Sequence, residues 1–263
     1  MRLPRHYIPR KDKKMKKTIL ITLLIISNSL LAQTDSLFVK ANKLYQQEKY
    51  VEALELYKEI EENKIQSDKL FYNIANANYK LNKVAPAIYY YEKALLINPN
   101  YVDAKFNLKF AKQMAIDNVE PLPKTFSQKF STSIIQQLAY NTWAWLAVSF
   151  SLLFAVLFLL YHFSYNSRSK RFYFVSSIIS AFLVFVILTF AYQNYNTVKT
   201  NKLAIVYAQQ TDVKSAPTMS SEISFELHEG SKVQIIESLD SWVKIKIADG
   251  KIGWMLVDDL KEF

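Results

Sequence analysis

The chain predicts a multidomain membrane protein in three parts: an all-α repeat array, an α-helical transmembrane hairpin and a small all-β barrel. Three observations predict it. Two uncharged apolar blocks, 143–163 and 172–192, are parted only by SYNSRSKR. Upstream, similar residues recur 34 positions apart. Downstream, apolar and polar residues alternate between turn signals.

The apolar hairpin divides the rest of the chain into two arms. Each block is 21 residues long and has no Asp, Glu, Lys or Arg. At about 1.5 Å per helical residue that is roughly 30 Å, one hydrocarbon core. Trp143, Trp145 and Tyr161 rim the first block, and Phe172, Tyr173, Tyr192 and Tyr195 rim the second, as interfacial aromatics do. The link at 164–171 is too short for a further crossing, so the helices run antiparallel. Arg168, Lys170 and Arg171 crowd that link, while Lys124, Lys129, Lys199 and Lys202 outside the blocks are spread out. The positive-inside bias puts the link in the cytoplasm and both arms outside. Small residues suggest the helix contact: Ala147, Ser151 and Ala155 on one helix, and Ser176 with Ser180 and Ser177 with Ala181 on the other.

The N-terminus agrees with that orientation. The net charge of +10 looks suited to nucleic acid, but residues 1–17 hold +7 of it. The remainder is too slight for a nucleic-acid interface. The basic run precedes TILITLLIISNSLLAQ, and Ala32 offers a small residue for cleavage, so residues 1–32 read as a secretory signal peptide. Met15 opens a complete signal by itself and is an alternative start. An uncleaved anchor helix would export the following residues equally well. The chain has no cysteine, which excludes a lipoprotein anchor, disulfides and thiol catalysis.

Residues 34–118 carry the repeats, at 34–67, 68–101 and a partial copy at 102–118. Phe38/Tyr72, Asn42/Asn76, Tyr45/Tyr79, Ala53/Ala87 and Tyr57/Tyr91 all keep the 34-residue offset. The stretch LFYNIANANYKLNKVAPAIYYYEKALLINPN resembles the tetratricopeptide consensus, with Ala75, Ala87 and Ala94 where the paired helices approach. The third copy shows one helix and caps the array. The resemblance implies a concave groove lined by Phe38, Asn42, Tyr45, Tyr72, Asn76, Tyr79, Phe106 and Phe110. Rings and amides there suit an extended peptide, or else they pack within and between repeats. The lysines that clamp chaperone tails in some relatives are absent.

Residues 119–142 read as a linker. Phe126, Phe130, Ile134 and Leu138, four apart, would form one apolar stripe on a helix. That helix lies in the outer membrane boundary or packs against the repeats. A polar linker is expected at 193–202, before the alternating region.

From 203 to 263, pairs such as Val233/Ile235 and Val243/Ile245 alternate between turns at Ser215–Pro217, Glu229–Gly230, Asp240–Ser241 and Asp249–Gly250. Short strands at this spacing make a small barrel. The phrases VKSAPTMSSE, LHEG, WVKI, ADGKIGW and DDL resemble the bacterial SH3 domain. Trp242 and Trp254 are read as rim and core residues of that barrel ahead of ligand contacts.

Nothing in the chain assembles a reaction centre. His6, His162 and His228 fall in three separate segments, so no triad and no metal spacing arises. Three glycines make no phosphate-cradling loop. Glu59, Glu61 and Glu62 read as a solvated helix face. The expectation is a non-enzyme without cofactor or metal.

The order of parts, with KVAPAIYYYEKALLINPN, EPLPKTF and NTWAWLAV, resembles the BatE family of Bacteroidetes-type aerotolerance operons across residues 15–263. The resemblance implies membrane partners with von Willebrand A domains, encoded beside a MoxR-type ATPase, in an envelope assembly. Two functions follow. One is an inner-membrane scaffold holding partners in the periplasm. The other is a wall sensor whose barrel binds peptidoglycan peptides.

Overall fold

The computed structural model describes residues 36–263. The signal peptide expected at 1–32 and the alternative start expected at Met15 lie outside the described residues. The chain divides at Gln66/Ser67 into two units.

In the first unit, helix α1 (36–46) turns through Glu48, at φ 62°, into α2 (Tyr50–Glu62). Ala41 and Ala53 are fully buried, as are the larger Tyr57 and Ile60. The pair has the form of one helical repeat.

The second unit opens with α3 (Asp68–Lys80), α4 (Val84–Ile97) and α5 (Val102–Gln113). Ser67 caps α3 by accepting from the Leu70 N–H at 3.0 Å. Ala75, Ala87, Ala94, Ala104 and Ala111 have no exposed surface, so the helix backbones meet closely. Helix α4 is apolar on nearly every face, with nine buried residues between Val84 and Ala94. One side meets α3 and α5; the other meets the barrel.

The apolar helices are α7 (Tyr140–Phe163) and α8 (Ser167–Thr200). Both are long and apolar enough to cross a membrane. Their large side chains point outward, with Phe182 at 65% and Phe185 at 70% exposure, which no water-facing surface helix would tolerate. Helix α8 does not end at Tyr192. The polar stretch expected as a linker continues it to Thr200, and β1 begins at Lys202. At the other end α8 starts at Ser167, leaving only 164–166 non-helical.

The seam between α7 and α8 follows a seven-residue repeat. On α8 the inward positions include Tyr173, Ser177, Ser180, Val184, Ile187 and Asn194; on α7 they include Trp143, Ala147, Phe150, Phe154, Leu157 and Tyr161. Ala147, Ser177 and Ser180 are buried, and the Ser180 hydroxyl donates to the Phe150 carbonyl at 2.9 Å. Ser176 is half-buried beside the seam, whereas Ser151, Ala155 and Ala181 are exposed. The expected spacing of four is corrected by helix geometry. Each step of four overshoots a full turn by about 40°, so a strict i, i+4 row leaves the seam within two steps.

Between α5 and α7 the chain makes α6 (Phe126–Ser133) and a 3-10 turn at Ile135–Gln137. The expected stripe therefore breaks at Ile134, and Leu138 is extended backbone. Ile135 is buried. Its carbonyl accepts from the Trp143 indole at 2.8 Å and the Asn194 amide at 3.3 Å, and Asn194 also donates to the Leu138 carbonyl at 2.6 Å.

The barrel contains β1 (Lys202–Val206), β2 (Gln210–Lys214), β3 (Ile223–His228), β4 (Lys232–Leu239), β5 (Trp242–Lys246), β6 (Ile252–Leu256) and β7 (Leu260–Glu262). The order is β3-β2-β6-β5-β4-β1-β7, with every pairing antiparallel. Its core holds Val206, Val213, Leu227, Val233, Val243, Ile245 and Met255. Gly253 is required by space, because a Cβ there would lie 2.5 Å from Val213 Cγ1 and 3.0 Å from the Lys214 carbonyl. The linker contributes too: Val119 packs on this core, and the Leu122 N–H donates to the Ala248 carbonyl at 3.1 Å.

Because Ser180 is in the seam and Ser151 is not, leucine should separate them. Ser180→Leu overpacks the hairpin at a typical cost of about 1–3 kcal/mol. It is expected to lower the melting temperature of the detergent-solubilised chain followed by circular dichroism. Ser151→Leu should leave it nearly unchanged.

Candidate interaction surfaces

On α3, Tyr72, Asn76 and Tyr79 are spaced to share one face, and α5 brings Phe106, Asn107 and Phe110. The expected groove amide is already engaged. The Asn76 amide oxygen accepts from the Tyr91 hydroxyl and, at 2.9 Å, from the Asn107 amide. Asn107 also donates to the Tyr72 hydroxyl at 3.1 Å, and the Tyr72 ring lies 4.9 Å from Tyr101.

The first unit repeats the arrangement by itself. There the Tyr57 hydroxyl donates to Asn42 at 2.6 Å, and Phe38 lies 5.9 Å from the Tyr57 ring. Tyr45 meets Tyr50 edge-on at 5.2 Å. In each copy an amide on the first helix is paired with a tyrosine fifteen residues later on the second. At half-buried positions, both amide oxygens are thus engaged inside their own repeat, which favours the packing role for Asn42 and Asn76 over the peptide-facing one. Burying the tyrosine ring demands a mate for its hydroxyl, and the amide is that mate.

Tyr79 is half-buried, and the most open rings are Phe106 and Phe110, 61% and 41% exposed and edge-on at 4.9 Å. Of the residues expected to line the groove, these two rings are the most accessible.

The other side of α4 is covered by the barrel. Glu92 accepts from Lys112 of α5 at 2.9 Å and from Lys232 of β4 at 2.7 Å. Burial alone would raise its pKa, but the two ammonium groups prevail and lower it from 4.5 to about 2. Below it, Asp117 accepts from the His228 N–H at 2.7 Å, the His228 ring Nδ1 at 2.8 Å and the Ser231 hydroxyl. Against the opposing effect of burial, these bonds hold its pKa below the usual carboxylate value. Tyr89 completes the contact. Its hydroxyl donates to the Glu262 carbonyl at 3.2 Å, its ring meets Tyr207 and Phe263, and Lys261 lies 4.7 Å over it. Gly230, at φ +89°, lets the turn lie on α4, since a Cβ there would be 2.9 Å from Ile88.

The barrel retains an open cleft of about 410 Å³, lined by Trp242, Met219 and Leu256 with Asp212, Lys214 and Asp259 among its polar groups. The Thr211 hydroxyl donates to Asp259 at 2.6 Å, tying the short helix before β7 to β2. Apolar side chains with charged groups beside them suit an extended peptide. Trp254 is buried and is not part of this cleft, whereas Trp242 is half-buried and lines it. Met219 went unread because its segment signals only a turn. A methionine two residues after Pro217, amid serines, is the hint that the sequence carries.

Residues 68–101 match the tetratricopeptide repeat, and residues 210–261 match the bacterial SH3 domain. No curated protein gives a significant match to the chain. Both matched families are interaction modules, and neither is catalytic. Among the described residues, no group of three or more His, Asp or Glu could hold a metal ion.

Two predictions follow from these bonds. Asn76→Ala removes the oxygen that both the Tyr91 hydroxyl and the Asn107 amide donate to, so it should destabilise the fold by about 1–3 kcal/mol, more than Tyr91→Phe, which removes one of those two bonds. Chemical denaturation of both variants measures the difference. Glu92 titrates low in the folded chain, so its contribution is present above pH 4.5 and lost as the pH falls toward 2. Wild-type melting temperature should fall across that window, and Glu92→Gln should flatten this part of the profile.

Proposed function

We propose that the chain is a non-enzymatic scaffold of the inner membrane, with both soluble arms in the periplasm, that helps assemble an envelope stress-tolerance complex of the BatE type. The observation that carries this reading is the seam at Glu92 and Asp117. It joins repeat and barrel into one support while leaving the Phe106/Phe110 pair and the Trp242 cleft open. Two recognition surfaces on one support suit a protein that holds partners together. Membrane proteins with von Willebrand A domains are the proposed partners.

The hairpin supports the scaffold over the sensor. Its link, with Arg168, Lys170 and Arg171 beside it, offers too little surface for a signalling output. The Trp242 cleft favours the second reading, in which the barrel binds peptidoglycan peptides. Sedimentation of the purified chain with intact sacculi separates the two. The scaffold predicts no depletion from the supernatant; depletion that Trp242→Ala abolishes would establish the sensor instead.

Orientation is tested by single cysteines in this cysteine-free chain. Gln66→Cys and Ser220→Cys are expected to react with an impermeant thiol reagent on spheroplasts, and Tyr165→Cys only after lysis. The reverse pattern would invert the topology.

A further inference from the structure

We propose that α6 is a foot seated in the headgroup layer of the membrane that α7 and α8 cross, giving the chain a lipid contact outside the hairpin. This rests on reading those two helices as membrane-spanning.

The first observation is that α6 has little tertiary support for being a helix, a single ring contact from Phe130 aside. It buries none of its residues, and eight residues are too few for stability in water alone. Yet its start is well defined. Thr125 accepts from the Gln128 N–H, and the Gln128 side chain accepts from the Thr125 N–H at 2.9 Å.

The second is what it exposes. Phe126 is 86% exposed, Phe130 one turn on is also open, and Ile134 just past the helix end is exposed too. Water is a poor neighbour for such a row, and the apolar boundary of a bilayer is a good one.

The third is its height. The Phe130 ring lies 6.3 Å from Phe190, in the last turns of the apolar part of α8. Trp143 and Asn194 hold the turn after α6 through the Ile135 carbonyl, at the same end of the hairpin as Tyr140 and Tyr195. Phe130 thus seats α6 beside Phe190, which also packs on Trp143 at this end of the hairpin.

The fourth is charge. Between Glu120 and Asp212 the chain has no acidic residue, while Lys124 and Lys129 flank Phe126. Lysines beside buried rings reach the phosphates of lipid headgroups. A protein groove would explain the rings but not their level at the rim of the hairpin.

The test uses the full chain in vesicles of phosphatidylethanolamine and phosphatidylglycerol, with an environment-sensitive fluorophore at one introduced cysteine. Phe126→Cys reports the exposed row, Thr132→Cys the opposite side of α6, and Phe182→Cys the middle of α8. The foot predicts that the probe at 126 is blue-shifted, quenched by spin labels near the lipid headgroups and shielded from iodide. The probe at 132 should remain open to iodide. If 182 is quenched by lipid-borne labels while 126 is open to iodide, the foot is wrong and the hairpin stands. Shielding of 126 from both quenchers would mean that protein covers it, which also overturns the foot. If lipid-borne labels do not reach 182, the hairpin reading fails and the foot fails with it.

Discussion

The Glu92 carboxylate is the constraint on which the joined body depends. It is buried in an apolar helix, where an isolated charge would be untenable, and it is tolerated because Lys112 and Lys232 arrive from two other elements. One lysine belongs to the repeats and the other to the barrel. Seating the barrel on α4 therefore adds the second ammonium, and a loosened barrel would leave the buried carboxylate with Lys112 alone. The pair lends position more than stability, since a desolvated ion pair roughly breaks even against apolar packing. Tyr89, Gly230 and Asp117 supply the surrounding fit.

The same logic of obligatory partners governs the base of the hairpin. Asn194 is a buried amide within a turn of apolar α8, and it is satisfied by carbonyls of the segment entering α7. The 3-10 turn leaves those carbonyls outside regular helix hydrogen bonding, so each side requires the other. The linker is consequently held in place along much of its course, from Val119 on the barrel core to Ile135 against α8.

Legibility in the sequence followed the range of the interaction. The apolar blocks and the 34-residue period were readable because length and local spacing state them directly. The 34-residue period shows that Asn42 and Asn76 occupy equivalent places, but not that the hydroxyls of Tyr57 and Tyr91 donate to them. The helical character of 193–200 was hidden because polar residues with moderate helix propensity look like linker until a long helix carries them. Glu92 gave no signal at all. Its partners lie 20 and 140 residues away, and nothing local distinguishes it from a surface glutamate. The cleft at Trp242 needed the fold to bring Met219 and Asp259 beside it.

The uninterrupted course of α8 has a mechanical consequence. Its 34 residues make a rod of about 50 Å, and only Asn201 separates it from the first strand of the barrel. A rod with no hinge works as a lever. A tilt of about 10° at its Ser167 end displaces the other end by roughly 9 Å, and rotation about its axis turns the barrel attachment by the same angle. Slack in the short turn at 164–166 is thus carried to the far end of the rod as displacement of the barrel's first strand.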